Sequence, residues 1–230
     1  DQWSASGLAV AWAEENTRDS IFQAFKRKET FATTGTRMAV RFFAGFDMES
    51  INLNSEDMVQ SAYAKGVTMG ADLFGNNDQV PQFLVWAKRD KLGAPLQRVQ
   101  IIKGWVENAS GTPKEMVYDV ACSDGLSVDP ITNRCPDNGA RVNINDCSIS
   151  NDVGAGELKT TWIDPDFDPT IKAFYYVRVL ENPTCRWSTW DALKAGVSPR
   201  PDLHKTIQER AWSSPIWYIP ESSELNIIPL

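Results

Sequence analysis

From Cys122 to Gly154 the chain runs through Asp, Asn, Gly and Pro with few aliphatic side chains. Such a stretch buries too little apolar surface to offset the conformational entropy lost on ordering. Cys122, Cys135 and Cys147 lie within it, and Cys185 follows beyond. No pair has the C-x-x-C spacing of a zinc ribbon or a thiol redox site. An even count in turn-rich sequence is the pattern of two structural disulfides, which constrain the unfolded chain and persist in oxidising compartments. Three pairings exist. We favour Cys122–Cys135, closing the loop that holds Asp124 and Gly125, with Cys147–Cys185 tying that region to a later strand. This places the protein in the periplasm or outside the cell; four reduced thiols in a cytosolic protein are the alternative.

The flanking sequence supplies the core. Asn16 or Thr17 caps a helix with Asp19 in its first turn, an apolar stripe of Ile21, Phe22, Ala24 and Phe25, and Lys26 to Lys28 at its end, where cations suit the dipole. Thr30 to Ala44 reads as a strand bent at Gly35. Residues 55–65 form a second helix, with Met58, Val59 and Ala62 inward and Gly66 as the stop. Gln82 to Lys88 is apolar on both faces, as in a central strand covered on each side. Gln97 to Val106 is read as its hairpin partner across the turn at Asp90–Gly93. Further strands are expected over 116–121, 157–163, 173–180 and 207–218, a short helix over 188–195, and an irregular tail over 220–230. The fold class is mainly β, a β-sandwich-like domain with a few short helices. One amphipathic helix needs a partner to cover its stripe, so residues 1–45 are read as a junction with another unit and 46–230 as the β-rich domain.

Composition narrows the chemistry. The 23 basic against 30 acidic residues give a net charge of −7, which disfavours a nucleic-acid partner. No stretch of eighteen apolar residues predicts a membrane span, and a leader would belong to sequence upstream of Asp1. His204 is the one histidine; metal hydrolases need several His and carboxylate ligands, so it reads as a surface residue. The G-x-S-x-G nucleophile elbow and the Gly-rich phosphate loop are both missing. Asp164, Asp166 and Asp168 alternate in a turn and are weak calcium candidates, but Pro169 and Tyr175 stand where a helix–loop–helix calcium site needs Gly and Glu. Otherwise these carboxylates cap backbone N–H groups or pair with Arg178 or Arg186. Nine tryptophans read mainly as packing residues, with an exposed aromatic platform for sugars as the sharper alternative. Arg186 with Trp187 and Trp190, and Arg210 with Trp212 and Trp217, read as packing pairs, with a ligand-facing role as the alternative.

Several segments in one order carry a resemblance: Trp12 to Arg18, Arg27 to Arg37, Met69 to Leu73, Asp164 to Pro169, Phe174 to Val179, Pro183 to Ser188 and Glu209 to Trp217. Over nearly its whole length the chain resembles the C-terminal part of the bacterial proteins grouped as domain of unknown function 3604. That family is similar to the polymerase-and-histidinol-phosphatase (PHP) superfamily of metal-dependent phosphoesterases. The resemblance implies that the metal ligands, including an Asp-x-His motif, come from a barrel preceding this segment, and that the first helix and the Thr33–Thr34–Gly35 strand are a remnant of that barrel. No catalytic residue carries over. No cofactor is expected within this chain, and a divalent metal is expected only upstream. The implied function is a β-rich accessory region of an exported hydrolase, inactive alone and partnered by its own barrel. Thr34 and Arg37 are the residues expected to contact the missing site. A glycan- or partner-binding module and a purely structural or oligomerising domain are the alternatives.

Overall fold

The computed structural model describes residues 7–76, 79–107 and 110–221. Its elements in chain order are β1 (Leu8–Ala11), α1 (Arg18–Lys26), β2 (Thr30–Thr33), β3 (Ala39–Gly45), α2 (Met58–Lys65), β4 (Gly66–Thr68), β5 (Asp72–Phe74), β6 (Gln82–Lys88), β7 (Leu96–Val106) and β8 (Pro113–Cys122). Then follow β9 (Val142–Asn143), β10 (Ser148–Ile149), β11 (Glu157–Ile163), β12 (Ala173–Glu181), β13 (Thr184–Cys185), α3 (Trp187–Lys194), β14 (Thr206–Ile207), β15 (Arg210–Ser213) and β16 (Ile216–Ile219). Trp3 and the expected tail beyond Glu221 lie outside the described residues.

The larger sheet is organised on β12. One edge pairs along its length with β7, from Ala173 opposite Trp105 to Glu181 opposite Leu96, and β7 pairs onward with β8. The other edge is shared: β15 takes the Arg178–Leu180 end and leads to β2 and β1, while β16 takes the Ala173–Tyr175 end and leads in parallel to β5. The smaller sheet runs β11–β6–β3–β4, antiparallel throughout. Two short pairs, β9 with β10 and β13 with β14, stand apart.

Strand alternation explains how the two sheets meet. On β12, Tyr175, Val177 and Val179 point inward; on β6, Phe83, Val85 and Ala87 do; and all six join one buried core with Val40, Phe42 and Ile101. The Phe83 and Tyr175 rings, from opposite sheets, lie 4.4 Å apart. Each large apolar side chain buried here contributes about 1.5–3 kcal/mol. The opposite face of β6 is also covered: Leu84 packs with Phe43, Met48, Met58 and Ala62 under α2. A mainly β, sandwich-like fold with three short helices is the result, and β6 is central in its sheet.

Several expectations change. The 82–88 and 97–106 strands are not a hairpin, because β6 and β7 belong to different sheets; the turn at Asp90–Gly93 is a crossover between layers. The strand expected over 207–218 is three pieces, β14, β15 and β16. It breaks at Ser214–Pro215, since Pro has no N–H for a ladder, and the Pro215 carbonyl instead accepts from Gly70 N at 3.0 Å. The bend at Gly35, at φ 137°, sends the chain from β2 in the larger sheet to β3 in the smaller one. From the segment read as a junction, Phe31, Met38, Val40, Phe42 and Ala44 all sit in the shared core.

α1 forms where its caps predict, with the Thr17 hydroxyl accepting from Ser20 N. It links the paired strands β1 and β2, and only Ala24 is buried. Phe22 and Phe25 remain 59% and 53% exposed, so these two rings of the stripe face outward while Ala24 is buried.

Candidate functional site

The acidic turn after β11 is built around a buried lysine rather than a cation cavity. Lys103 Nζ on β7 pairs with Asp164 Oδ2 at 2.5 Å and donates to the Asp166 carbonyl at 2.7 Å. Tyr175 donates to Asp164 Oδ2 at 2.7 Å and Tyr118 to Asp166 Oδ2 at 2.9 Å. Burial and the neighbouring carboxylates push both phenols upward, so each stays a donor. Asp168 accepts from the amide and hydroxyl of Thr170, which hold its carboxyl below the usual range. The three carboxylates are thus engaged by Lys, Tyr and turn groups. The partner of Asp164 is Lys103, whereas Arg178 instead donates to Gln100 Oε1 at 2.6 Å. Among the described residues no three His, Cys, Asp or Glu side chains converge as metal ligands.

The disulfides are Cys122–Cys135 and Cys147–Cys185, each with Cα atoms 5.6 Å apart. The first holds the poorly apolar loop against β8, where the buried Asp119 accepts from Cys135 N at 2.7 Å, Gln100 Nε2 at 2.6 Å and Arg98 at 3.2 Å. The second ties the β9–β10 hairpin to β13, immediately before Arg186.

Thr34 and Arg37 lie where β2 ends, beside the start of β15. Thr34 N donates to the Arg210 carbonyl at 2.9 Å, and its hydroxyl accepts from Arg210 N at 2.9 Å while donating to the Glu209 carboxylate. Arg37 N donates to Asp90 Oδ2 at 2.8 Å, and the Arg37 residue is exposed. Glu181, the last residue of β12, is fully buried, and the nearby Thr36 hydroxyl and Ala94 amide approach its carboxylate without full hydrogen-bond geometry. Burial raises its pKa to about 7, and the charges of Glu209 and Asp90 push the same way, against the Thr36 hydroxyl and the Ala94 amide. Turn amides and Arg37 hold Asp90 low.

At the same end of the larger sheet a cavity of about 500 Å³ opens on the far side of Arg210. Arg98, Arg141, Arg186, Arg210 and His204 line it, with Asp137 as the one carboxylate. Arg141 is paired with Asp137 at 2.9 Å and Arg98 with Asp119 at 3.2 Å. Arg186 and Arg210 are half-buried, and among the described residues neither forms an ion pair; the Nε of each is buried without a hydrogen bond. These two arginines, read from the sequence as packing residues with a ligand-facing role as the alternative, line a cavity. The cations that do lie over rings are Arg41 on Trp12 at 3.6 Å and Lys172 on Trp217 at 5.4 Å, among others. His204 is exposed, as expected, but nothing in its position along the chain groups it with Arg186 and Arg210. The available cue is the cysteine beside Arg186, since a Cys147–Cys185 bridge and the β13–β14 pairing fold residues 184–207 back over the sheet end.

A second concavity of about 540 Å³ lies on the outer face of the larger sheet, walled by Trp105, Phe174 and Trp217. Phe174 and Trp217 are 5.1 Å apart. Gly104 makes room for them, because a Cβ there would come within 2.2 Å of Phe174 Cζ. Among the described residues no helix is long and apolar enough to cross a membrane.

No curated protein and no solved structure matches the chain. A family model described as "Protein of unknown function (DUF3604)" matches residues 1–220. That span contains both sheets, both disulfides and the arginine-lined cavity, and the chain belongs to the DUF3604 family.

Proposed function

We propose that this chain is the β-rich accessory region of an exported, PHP-like metal-dependent hydrolase, and that it holds substrate rather than cleaving it. The supporting observation is the chemistry gathered at one end of the larger sheet. Thr34 backs onto Arg210, and Arg210 with Arg186 faces a cavity furnished with cationic donors but no nucleophile–base pair. Such a surface attracts and orients a negatively charged group through charge-assisted hydrogen bonds. The outward stripe of α1, Phe22 and Phe25, is where the upstream barrel packs in this reading, since large exposed aromatics on one helix face mark an interaction surface. Two disulfides in loops that need them support export.

The test compares the natural gene product containing this chain with residues 1–230 alone. Both are assayed on p-nitrophenyl phosphate and bis(p-nitrophenyl) phosphate with added Mn²⁺ or after chelation. The longer protein should turn over one of these esters only with metal, and residues 1–230 should turn over neither. Metal-dependent turnover by residues 1–230, or none by the longer protein, contradicts the proposal.

The aromatic concavity favours a second reading, a glycan-binding module, because sugar rings stack on indole and phenyl faces. Tryptophan fluorescence titrated with a glycan panel distinguishes the two. A saturable response lost in Trp217→Ala supports the module; no response across the panel removes it.

A further inference from the structure

We propose that the cavity at the end of the larger sheet is a binding site for a tetrahedral oxyanion, a phosphate or sulfate group, with Arg186 and Arg210 as its principal donors. The proposal concerns ligand binding by this chain alone and stands apart from whether any longer protein is a hydrolase. Four arginines against one carboxylate line the cavity, in a chain whose net charge is −7. In an acidic protein, arginines normally find carboxylates. Arg141 and Arg98 do so here, yet among the described residues Arg186 and Arg210 do not, although both are half-buried. A half-buried guanidinium without a counter-ion is unfavourable, so an anion entering the cavity supplies the charge that both side chains lack.

The scaffold holds these donors from different directions. Arg210 opens β15, its backbone N–H fixed by Thr34 Oγ1 and its carbonyl by Thr34 N. Arg186 follows the disulfide-bonded Cys185, and its amide donates to the Lys205 carbonyl at 2.9 Å. His204 contributes a third donor from the returning segment. Planar guanidinium forks on separate elements suit a ligand with several acceptor oxygens, as phosphate and sulfate have. Asp137 is neutralised by Arg141, and Glu209 is turned to Thr34, so neither opposes an incoming anion.

The test titrates residues 1–230 with inorganic phosphate, sulfate and phenyl phosphate, with chloride at matched ionic strength as the control. The readouts are calorimetry and the Nε–H resonances of the arginines by NMR. The expected result is saturable binding that moves the Arg186 and Arg210 Nε–H signals. Arg186→Gln or Arg210→Gln should weaken it about tenfold, the scale of one lost charge-assisted hydrogen bond, and the double variant should abolish it. Arg200→Gln, in an exposed pair with Asp202, should change nothing. Phenyl phosphate binding more tightly than inorganic phosphate identifies an organic phosphoester as the ligand; the reverse order identifies the free anion. Absence of saturable binding by all three anions, or binding that leaves both Nε–H signals unmoved, overturns the proposal. Because the NMR readout uses the unaltered chain, it still decides the matter if a variant fails to fold.

Discussion

Glu181→Gln should flatten the pH dependence of folding stability between pH 5 and 8. The Glu181 carboxyl is fully buried and only weakly compensated by the Thr36 hydroxyl and Ala94 amide, and its pKa rises from 4.5 to about 7 in the folded chain. A group whose folded pKa is raised holds its proton more tightly in the native state. Its stabilising contribution is therefore complete below about pH 4.5 and is lost as pH rises through 7. At about 1.4 kcal/mol per pH unit, that interval corresponds to roughly 3 kcal/mol as an upper bound. Asp90, Asp124 and Asp168, with lowered pKa values, act in the opposite sense and only at more acid pH, so the window above pH 5 isolates Glu181. Urea unfolding followed by tryptophan fluorescence at constant ionic strength measures the effect. The natural chain should lose up to roughly 3 kcal/mol from pH 5 to 8 through this group, and Glu181→Gln should lose little. Parallel pH profiles for the two proteins would refute the reasoning.

Three other outcomes follow from the packing. Lys103→Met strands the fully buried Asp164 carboxylate and should cost about 3–5 kcal/mol; adding Asp164→Asn should recover part of it in urea unfolding, and no recovery would mean that the pair is not the cause. Removing Cys147–Cys185, with a sequence separation of 38, should cost about 4 kcal/mol, and removing Cys122–Cys135, with a separation of 13, about 3 kcal/mol; a larger loss for the shorter loop in the same assay would count against the chain-entropy account. Gly104→Ala drives a Cβ into the Phe174 ring, which should cost about 1–3 kcal/mol and alter emission from Trp217, 5.1 Å from that ring; an unchanged spectrum and an unchanged unfolding midpoint would contradict the close approach.

Local pattern carries much of the fold. The Thr17 cap, the two-sided apolar run of β6 and the cysteine-rich loop are each read from neighbours a few residues apart, and they appear where the pattern puts them. Non-local choices are not legible in this way. The Asp90–Gly93 turn looks the same whether the next strand pairs in the same sheet or crosses to the other, and here it crosses. The break at Pro215 is visible as a residue without an N–H, but the large apolar side chains on either side, Trp212 and Ile216 to Tyr218, mask it. At the site, Thr34 stands out as polar and next to a bend, and the structure places it against Arg210. Arg186, Arg210 and His204 look unrelated along the chain because nothing in their spacing says that one cavity gathers them. Lys103 as the partner of Asp164 is equally hidden, since a lysine in an apolar strand signals burial only once β7 and the turn after β11 are in place.

Metal content most directly separates an accessory region from a catalytic one. Inductively coupled plasma mass spectrometry on the purified natural gene product and on residues 1–230 would read it, each after dialysis against Mn²⁺, Fe²⁺ and Zn²⁺ and then against metal-free buffer. Stoichiometric divalent metal in the longer protein and none retained by residues 1–230 is the predicted result. Stoichiometric metal retained by residues 1–230 would contradict it.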